Sequence, residues 1–343
     1  MLPPRPDLSQ VDPSVRVYIE ALEALIRNPS DKSAADLDNA PVNETYIQEA
    51  PNTVQLITIS RLGIAKRTPR YLYSQQRRGG MGIFDLETPD NDFPSAVTIA
   101  ELDGVLILIT NHARAFRLPV SAFQEGPIRS RGKLLSVSAS FSPDEYIAAA
   151  IPFYPKGAIV LVSENGMVRH LRYHIFGEHM KPGTSMFPSS QFGLLASACV
   201  TNGDADILIA TRQGRGIRFS EKLIPSQGCL GMRIEPNDQV VTVTSISQDE
   251  GVILVDAQGR GSIRLMSGFN ANKSPGGSGK ILMNTDCLVN ASSTQGATHT
   301  FLISRLSKII RFALNEIPPK ENPVQGVVLM SLRADEVTSL ALS

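Results

Sequence analysis

Ile207-Leu208-Ile209-Ala210-Thr211-Arg212-Gln213-Gly214-Arg215-Gly216-Ile217-Arg218-Phe219 carries the pattern that the rest of the chain repeats. A continuous apolar run ends in a tight turn at Arg212-Gln213-Gly214, and a short basic strand answers it. Runs such as Ile207-Leu208-Ile209, bounded by turn residues, read as strands buried on both faces. The event recurs at Arg61-Leu62-Gly63, Asn111-His112-Ala113, Glu164-Asn165-Gly166, Ala257-Gln258-Gly259 and Arg305-Leu306-Ser307. Its period of roughly fifty residues, built from short strands, is that of a propeller-like array.

In the strand after each turn, the third position is Phe116, Ile217 and Ile310 in units two, four and six. The fourth is Arg67, Arg117, Arg218 and Arg311 in units one, two, four and six. Neighbouring strand residues point to opposite faces. If the third packs inward, the fourth is expected to face out. Unit three has Arg169-His170 instead, and unit five reads as carrying one extra residue, which moves its arginine to Arg264. A later glycine recurs at Gly80, Gly132, Gly183, Gly231, Gly279 and Gly326, where the chain is expected to turn between outer strands. Six units of about 48 residues fill 54–343, so the expectation is an all-β, closed or nearly closed six-bladed ring. The chain has no tryptophan, so the WD-type signature is absent.

Ahead of the array, residues 1–53 form a separate head. Asp12 can cap a helix with Pro13 at its first position and an apolar stripe of Val15, Ile19, Leu22, Leu25 and Ile26. Asn28-Pro29-Ser30 stops it. Residues 30–53 read as an acidic linker with an extended piece near Tyr46-Ile47. Composition is that of a globular protein, 42% apolar and 19% charged, with a formal net charge of zero. That zero hides an asymmetry: the head is net −5 and the repeats net +5. Such a surplus serves a polyanion only if it is focused on one surface. Cys199, Cys229 and Cys287 have neither zinc-ligand nor redox spacing, which suits a reducing compartment. Met1-Leu2-Pro3-Pro4-Arg5-Pro6 has no apolar stretch of signal type, and no run approaches eighteen apolar residues. A cytoplasmic protein without a membrane partner is expected.

Unit one contains Gln76-Arg77-Arg78-Gly79-Gly80-Met81-Gly82. This segment resembles the box Gln-Arg-Arg-Gly-Gly-(Lys/Arg)-Gly of the C-terminal domain of gyrase A, the DNA-cleaving half of DNA gyrase, in a family shared with topoisomerase IV. Met81 is the one departure and removes a charge. Gly63-Ile64-Ala65-Lys66-Arg67-Thr68-Pro69 is similar to that domain's first-blade strand. Thr110–Leu118 and Thr211–Phe219 resemble its later blades, so the likeness spans 54–343.

The resemblance implies a six-bladed β-pinwheel that bends duplex DNA around its outer rim. Adjacent arginines among glycines let the backbone approach phosphates while guanidinium groups pair with them bidentately. Gln76, Arg77, Arg78, Gly79, Gly80 and Gly82 would anchor the DNA. Arg67, Arg117, Arg264 and Arg311 would extend the track, and Arg131 and Lys133, beside Arg129, would support it. Contacts to phosphate set path without reading sequence, and about six of them imply a log–log salt slope of roughly −5. The resemblance does not extend to a DNA-cleaving module, and Tyr18 and Tyr46 lack an arginine-bearing context. The expectation is a non-catalytic, stand-alone or detached relative, associated with the bacterial nucleoid, with a type IIA topoisomerase core as a further partner. Its rivals are a protein-interaction scaffold that has lost wrapping and a regulatory subunit docking through its head.

Two other clusters carry less. Gly276-Gly277-Ser278-Gly279-Lys280 invites comparison with a phosphate-cradling P-loop, but Ser274 and Ile281 stand where that motif needs glycine and Ser/Thr. No nucleotide is expected. His170, His174 and His179 share one unit without cysteine or carboxylate ligands at metal spacing. No catalytic constellation stands out, so neither metal nor cofactor is assigned.

Overall fold

The structure, a computed structural model, describes residues 49–247 and 250–343. The expected helix after Asp12 and the extended piece at Tyr46-Ile47 lie outside the described residues. From Val54 onward the chain forms six sheets, one per repeat, confirming the six-bladed reading. Among the described residues no helix is long and apolar enough to cross a membrane.

Each expected turn closes a hairpin. In unit four, Asp206–Thr211 pairs antiparallel with Arg215–Ser220, Ile209 opposite Ile217, and the Gly214 N–H bonds the Thr211 carbonyl at 3.0 Å. The last turn residue takes positive φ in every unit, and Ala113 (58°) and Ser307 (61°) do so without being glycine. That conformation is disfavoured for a residue with a Cβ. The surrounding hairpin and the buried position of Ala113 hold it there.

A third strand runs back inside each hairpin, and these six innermost strands surround an axial channel of about 600 Å³. Ala96, Ala149, Ala198, Thr244, Ala291 and Ser339 are among its lining residues. Alanine, serine and threonine recur along these strands, beside larger residues such as Ile99, Ile151 and Leu340.

The fourth, outermost strand comes from the following unit. Lys133–Leu134 of unit two completes blade one, and Lys280–Ile281 of unit five completes blade four. Ile83–Phe84 of unit one completes blade six, with Phe84 opposite Lys308. That last exchange closes the ring. Blades six and one also share a core in which Leu56, Tyr73, Val97, Phe301 and Ile303 meet, with the Tyr73 and Phe301 rings edge to face at 5.9 Å.

The closed ring corrects one expectation. Each blade packs face to face on its neighbours, so both faces of the second strand are covered and only its outer edge looks outward. Arg218, Arg264 and Arg311 are accordingly buried, at 9%, 5% and 6% exposure. Arg67 and Arg117 are half-buried. The fourth position therefore does not face solvent. Unit five carries no extra residue in this strand either: Arg260–Leu265 is as long as Arg215–Ser220. Ile263, opposite Ile253, stands where Arg218 stands opposite Leu208, so Arg264 lies on the other face. The turn glycines also shift in two units. The edge strands follow Gly82 in unit one and Gly228 in unit four, not Gly80 and Gly231.

Candidate nucleic-acid interface

The Gln76–Gly82 loop lies against blade six, on the way to the edge strand Ile83–Phe84. Its backbone is tied to unit six at five points, the fifth through Arg78. The Gln76 N–H bonds the Arg311 carbonyl at 2.7 Å and the Gly79 N–H bonds the Leu329 carbonyl at 2.7 Å. Ser331 donates its N–H to the Gly80 carbonyl (3.0 Å) and its hydroxyl to the Gly79 carbonyl (2.7 Å). Gly82 sits at φ 70°, where an added Cβ would come within 2.6 Å of the Ile309 carbonyl oxygen. Only glycine allows that approach. The result is a pinned loop with Arg77, Arg78 and Met81 exposed on it. Arg78 is braced by its N–H to Glu316 (2.9 Å) and by Nη1 to the Val328 carbonyl (3.3 Å).

A second basic loop stands beside it. Leu86–Glu87, just past the edge strand, pairs in parallel with Ser130–Arg131 of unit two. Arg129, Arg131 and Lys133 are exposed here, and Arg129 and Arg131 share one carboxylate, Glu87, at 3.9 and 3.4 Å. The Arg129 guanidinium and the Lys308 ammonium also flank the exposed Phe84 ring, at 5.8 and 5.9 Å. The structure thus brings together Gln76–Gly82, Arg131 and Lys133, and it adds Arg129 and Lys308.

A buried cluster joins the roots of these two loops. The Lys66 ammonium pairs with Asp85 Oδ1 at 2.9 Å and donates to the Pro127 and Ile128 carbonyls at 2.8 and 2.7 Å. Asp85 also accepts from the Tyr73 and Thr58 hydroxyls, each at 2.6 Å. Burial pulls the Lys66 pKa below its ordinary range, and the Asp85 charge opposes that fall. Burial, then the Asp85 charge, pushes the Tyr73 phenol well above its ordinary value.

The fourth-position arginines serve the ring itself. Arg67 donates to the Phe123 carbonyl (3.1 Å), Arg218 to the Met266 carbonyl (3.0 Å) and Arg311 to the Tyr73 carbonyl (3.0 Å). Each acceptor lies in, or ends, the short 3-10 turn of the next blade: Val120–Ala122, Met266–Gly268 and Arg70–Leu72. Arg67 and Arg218 are further paired with Glu125 and Asp206, at 2.6 and 2.8 Å. His170 makes the corresponding reach in unit three, 3.0 Å from Glu221 in the turn Glu221–Leu223. Arg117 lies over the Phe153 ring at 5.6 Å, and Arg264 bonds the Gly268 carbonyl at 3.1 Å. These arginines are clamps within and between blades, not an exposed track. Among the described residues no group of three or more candidate ligands surrounds a metal position.

Two features escape a reading of the sequence. The first is the position directly after each turn, at the outer edge of the second strand, which carries Arg114, Arg215, Arg260 and Lys308 opposite the edge-strand residues Ser185, Ile281, Val328 and Phe84. Its recurrence in four units is a readable signal. The second is a duplicate of the box loop in unit five, lying against blade four. The Asn272 N–H bonds the Arg218 carbonyl (2.6 Å) as Gln76 bonds Arg311, and the Gly276 N–H bonds the Gly231 carbonyl at 2.8 Å. Gly276 and Gly279 have φ 86° and 71°, against 83° and 70° at Gly79 and Gly82. A Cβ on Gly279 would come 2.5 Å from the Gly216 carbonyl oxygen. Arg215 donates to the Ser278 and Gly279 carbonyls at 3.3 and 3.1 Å, and Lys273 and Lys280 are exposed.

Comparison with known proteins agrees with this geometry. The family model described as DNA gyrase C-terminal domain, beta-propeller, matches residues 55–97, 104–153, 205–247 and 299–341, together more than half of the chain. These are the units with the fourth-position arginine. The chain is 26% identical over 335 residues to the gyrase A protein of Chlamydia muridarum, covering 93% of this chain and 40% of that protein. It is 27% identical over 301 residues to the gyrase A protein of Helicobacter pylori, covering 83% of this chain and 36% of that one. It thus spans only about two-fifths, at most, of these relatives' length. Among solved structures, a DNA gyrase A C-terminal domain superposes with a TM-score of 0.69 at 17% identity, over 84% of this chain and 99% of that one. The C-terminal domain of a DNA topoisomerase IV follows at 0.60 and 19% identity, over 85% and 94%. By its sequence match and its six-bladed ring, the chain belongs to the DNA gyrase C-terminal domain family of β-propellers.

Proposed function

We propose that this chain is a non-catalytic DNA-binding ring that bends duplex DNA along its outer edge without reading sequence. The observation that carries the reading is the pinned glycine loop that presents Arg77 and Arg78 at the rim beside Arg129, Arg131, Lys133 and Lys308. The recurrence of the same scaffold at Asn272–Lys280 gives the path a second point on blade four. Phosphates would be met by the edge of the ring, because the faces of the blades are already occupied. Assisting a type IIA topoisomerase core in the bacterial cytoplasm follows from this reading as its setting.

The binding should be strongly salt-dependent. With about five phosphates neutralised by exposed cations, log affinity against log salt should slope at roughly −4.5. Titration of linear duplex at several salt concentrations checks this, and a slope near zero removes the rim contact. The rival reading, a protein-interaction scaffold, draws on Met81, Phe84, Leu134 and Leu306, all more than half exposed beside the basic loops. Duplex that fails to shift at low salt would favour it.

A further inference from the structure

Where the chain enters the ring, the Glu49 carboxylate sits between two arginines from opposite sides of the closure seam. Oε1 accepts from Arg70 Nη2 of unit one and from Asn52 Nδ2, and Oε2 lies 2.9 Å from Arg311 Nη2 of unit six. Two guanidinium groups thus face one carboxylate. Burial, then the Arg311 and Arg70 charges, holds the pKa of nearby His299 below its ordinary value and so disfavours a third cation here. The node keeps a surplus of one positive charge among these groups. Its polar atoms are also incompletely matched: the buried Nε of Arg70, the Nε of Arg311 and Glu49 Oε2 itself make no hydrogen bond among the described residues. Glu49 meets each guanidinium through Nη2 only, and Arg311 Nη1 is held by the Tyr73 carbonyl at 3.0 Å. A tetrahedral phosphate, with acceptors out of one plane, suits the two guanidinium groups better.

The node is also the root of the box loop. The Gln76 N–H bonds the Arg311 carbonyl at 2.7 Å, and Gln75 Oε1 lies 3.0 Å from His299 Nε2. Glu49 itself belongs to the same compact unit as the blades. Its carboxyl is drawn upward by burial, but hydrogen bonds from Arg70 and Asn52 and the charges of Arg70 and Arg311 outweigh that and hold it below its ordinary value. It stays ionised at neutral pH and acts as an internal anion.

We infer that Arg70 and Arg311 form an anion site for a backbone phosphate of duplex DNA, closed in the free protein by Glu49. Arg311, 6% exposed, would then be the one between-blade arginine to join the edge cations, and only once Glu49 leaves it. The inference rests on the DNA-bending reading. It makes the entering segment and the DNA competitors for one site, so each weakens the other's hold by the same factor.

The test uses the full chain, Glu49→Gln, and the double variant Glu49→Gln/Arg70→Gln, with two probes. Inorganic phosphate, compared with chloride at equal ionic strength, should raise the melting temperature of Glu49→Gln and leave that of the natural protein and the double variant unmoved. Duplex DNA should bind Glu49→Gln about five- to tenfold tighter, with a salt slope steeper by about 0.9 for the added phosphate. A Glu49→Gln protein that responds to phosphate as the natural protein does, or binds DNA no more tightly, overturns the site. Phosphate stabilisation of Glu49→Gln with no DNA binding by any of the three proteins instead overturns the duplex reading and keeps the anion site.

Discussion

Asp85→Ala should destabilise the ring by about 3–5 kcal/mol, because it strands a buried ammonium without its counter-ion. Lys66 and Asp85 are 1% and 0% exposed in their side chains and 2.9 Å apart, so water cannot take over the lost partner. The same change orphans the Tyr73 and Thr58 hydroxyls. Denaturant unfolding checks the figure. The double variant Lys66→Met/Asp85→Leu should recover part of the loss, since an apolar pair of similar volume often replaces a buried ion pair at little cost. The Tyr73 and Thr58 hydroxyls and the Pro127 and Ile128 carbonyls stay without their partners in it. Other units already place apolar residues there. Where the Asp85 N–H bonds the Ser307 carbonyl, Leu135, Met186, Leu282 and Leu329 make the corresponding bond to a turn in the blade they complete. An Asp85→Ala protein within about 1 kcal/mol of the natural one would show that the cluster is already hydrated and not a lock.

Arg77→Ala with Arg78→Ala should weaken DNA binding about a hundredfold while the ring stays folded. Two charge-assisted phosphate contacts at about 1.4 kcal/mol each give that factor, and the salt slope should become shallower by about 1.8. The stability change should stay under about 1 kcal/mol, because both side chains are exposed and the glycine scaffold beneath them is untouched. Binding and denaturation on the same preparation separate the two effects. Unfolding of the double variant would make these arginines structural. Undiminished binding would move the contact to another part of the rim.

The repeat is legible in the sequence because apolar runs, turns and basic strands recur in phase, and every turn named from them closes a hairpin in the structure. Alternation cannot reveal what covers each face. A strand with one face in water and a strand between two blades show the same period of two. Alternation alone therefore points Arg311 and Arg218 outward, whereas they reach across to the next blade's backbone. The first position after the turn lies nearer the rim, beside the outermost strand, although Arg114, Arg215, Arg260 and Lys308 are themselves half-buried. The unit-five loop is hidden for another reason. Gly276-Gly277-Ser278-Gly279 shares its glycines with Gly79-Gly80-Met81-Gly82, yet Pro275 replaces an arginine and Asn272 stands one residue further from the first glycine than Gln76 does. Glycines set the backbone path, and the identity of the exposed residues masks that likeness until φ angles are compared.

Edge cations, not the arginines between blades, are what should steer a stiff duplex around this ring. The most direct test is to bind the protein to a nicked or relaxed plasmid, seal it with ligase, remove the protein and measure the linking number. Steering by the rim predicts a protein-dependent shift of one sign, abolished by Arg77→Ala/Arg78→Ala. An unchanged topoisomer distribution at saturating protein and low salt would contradict it.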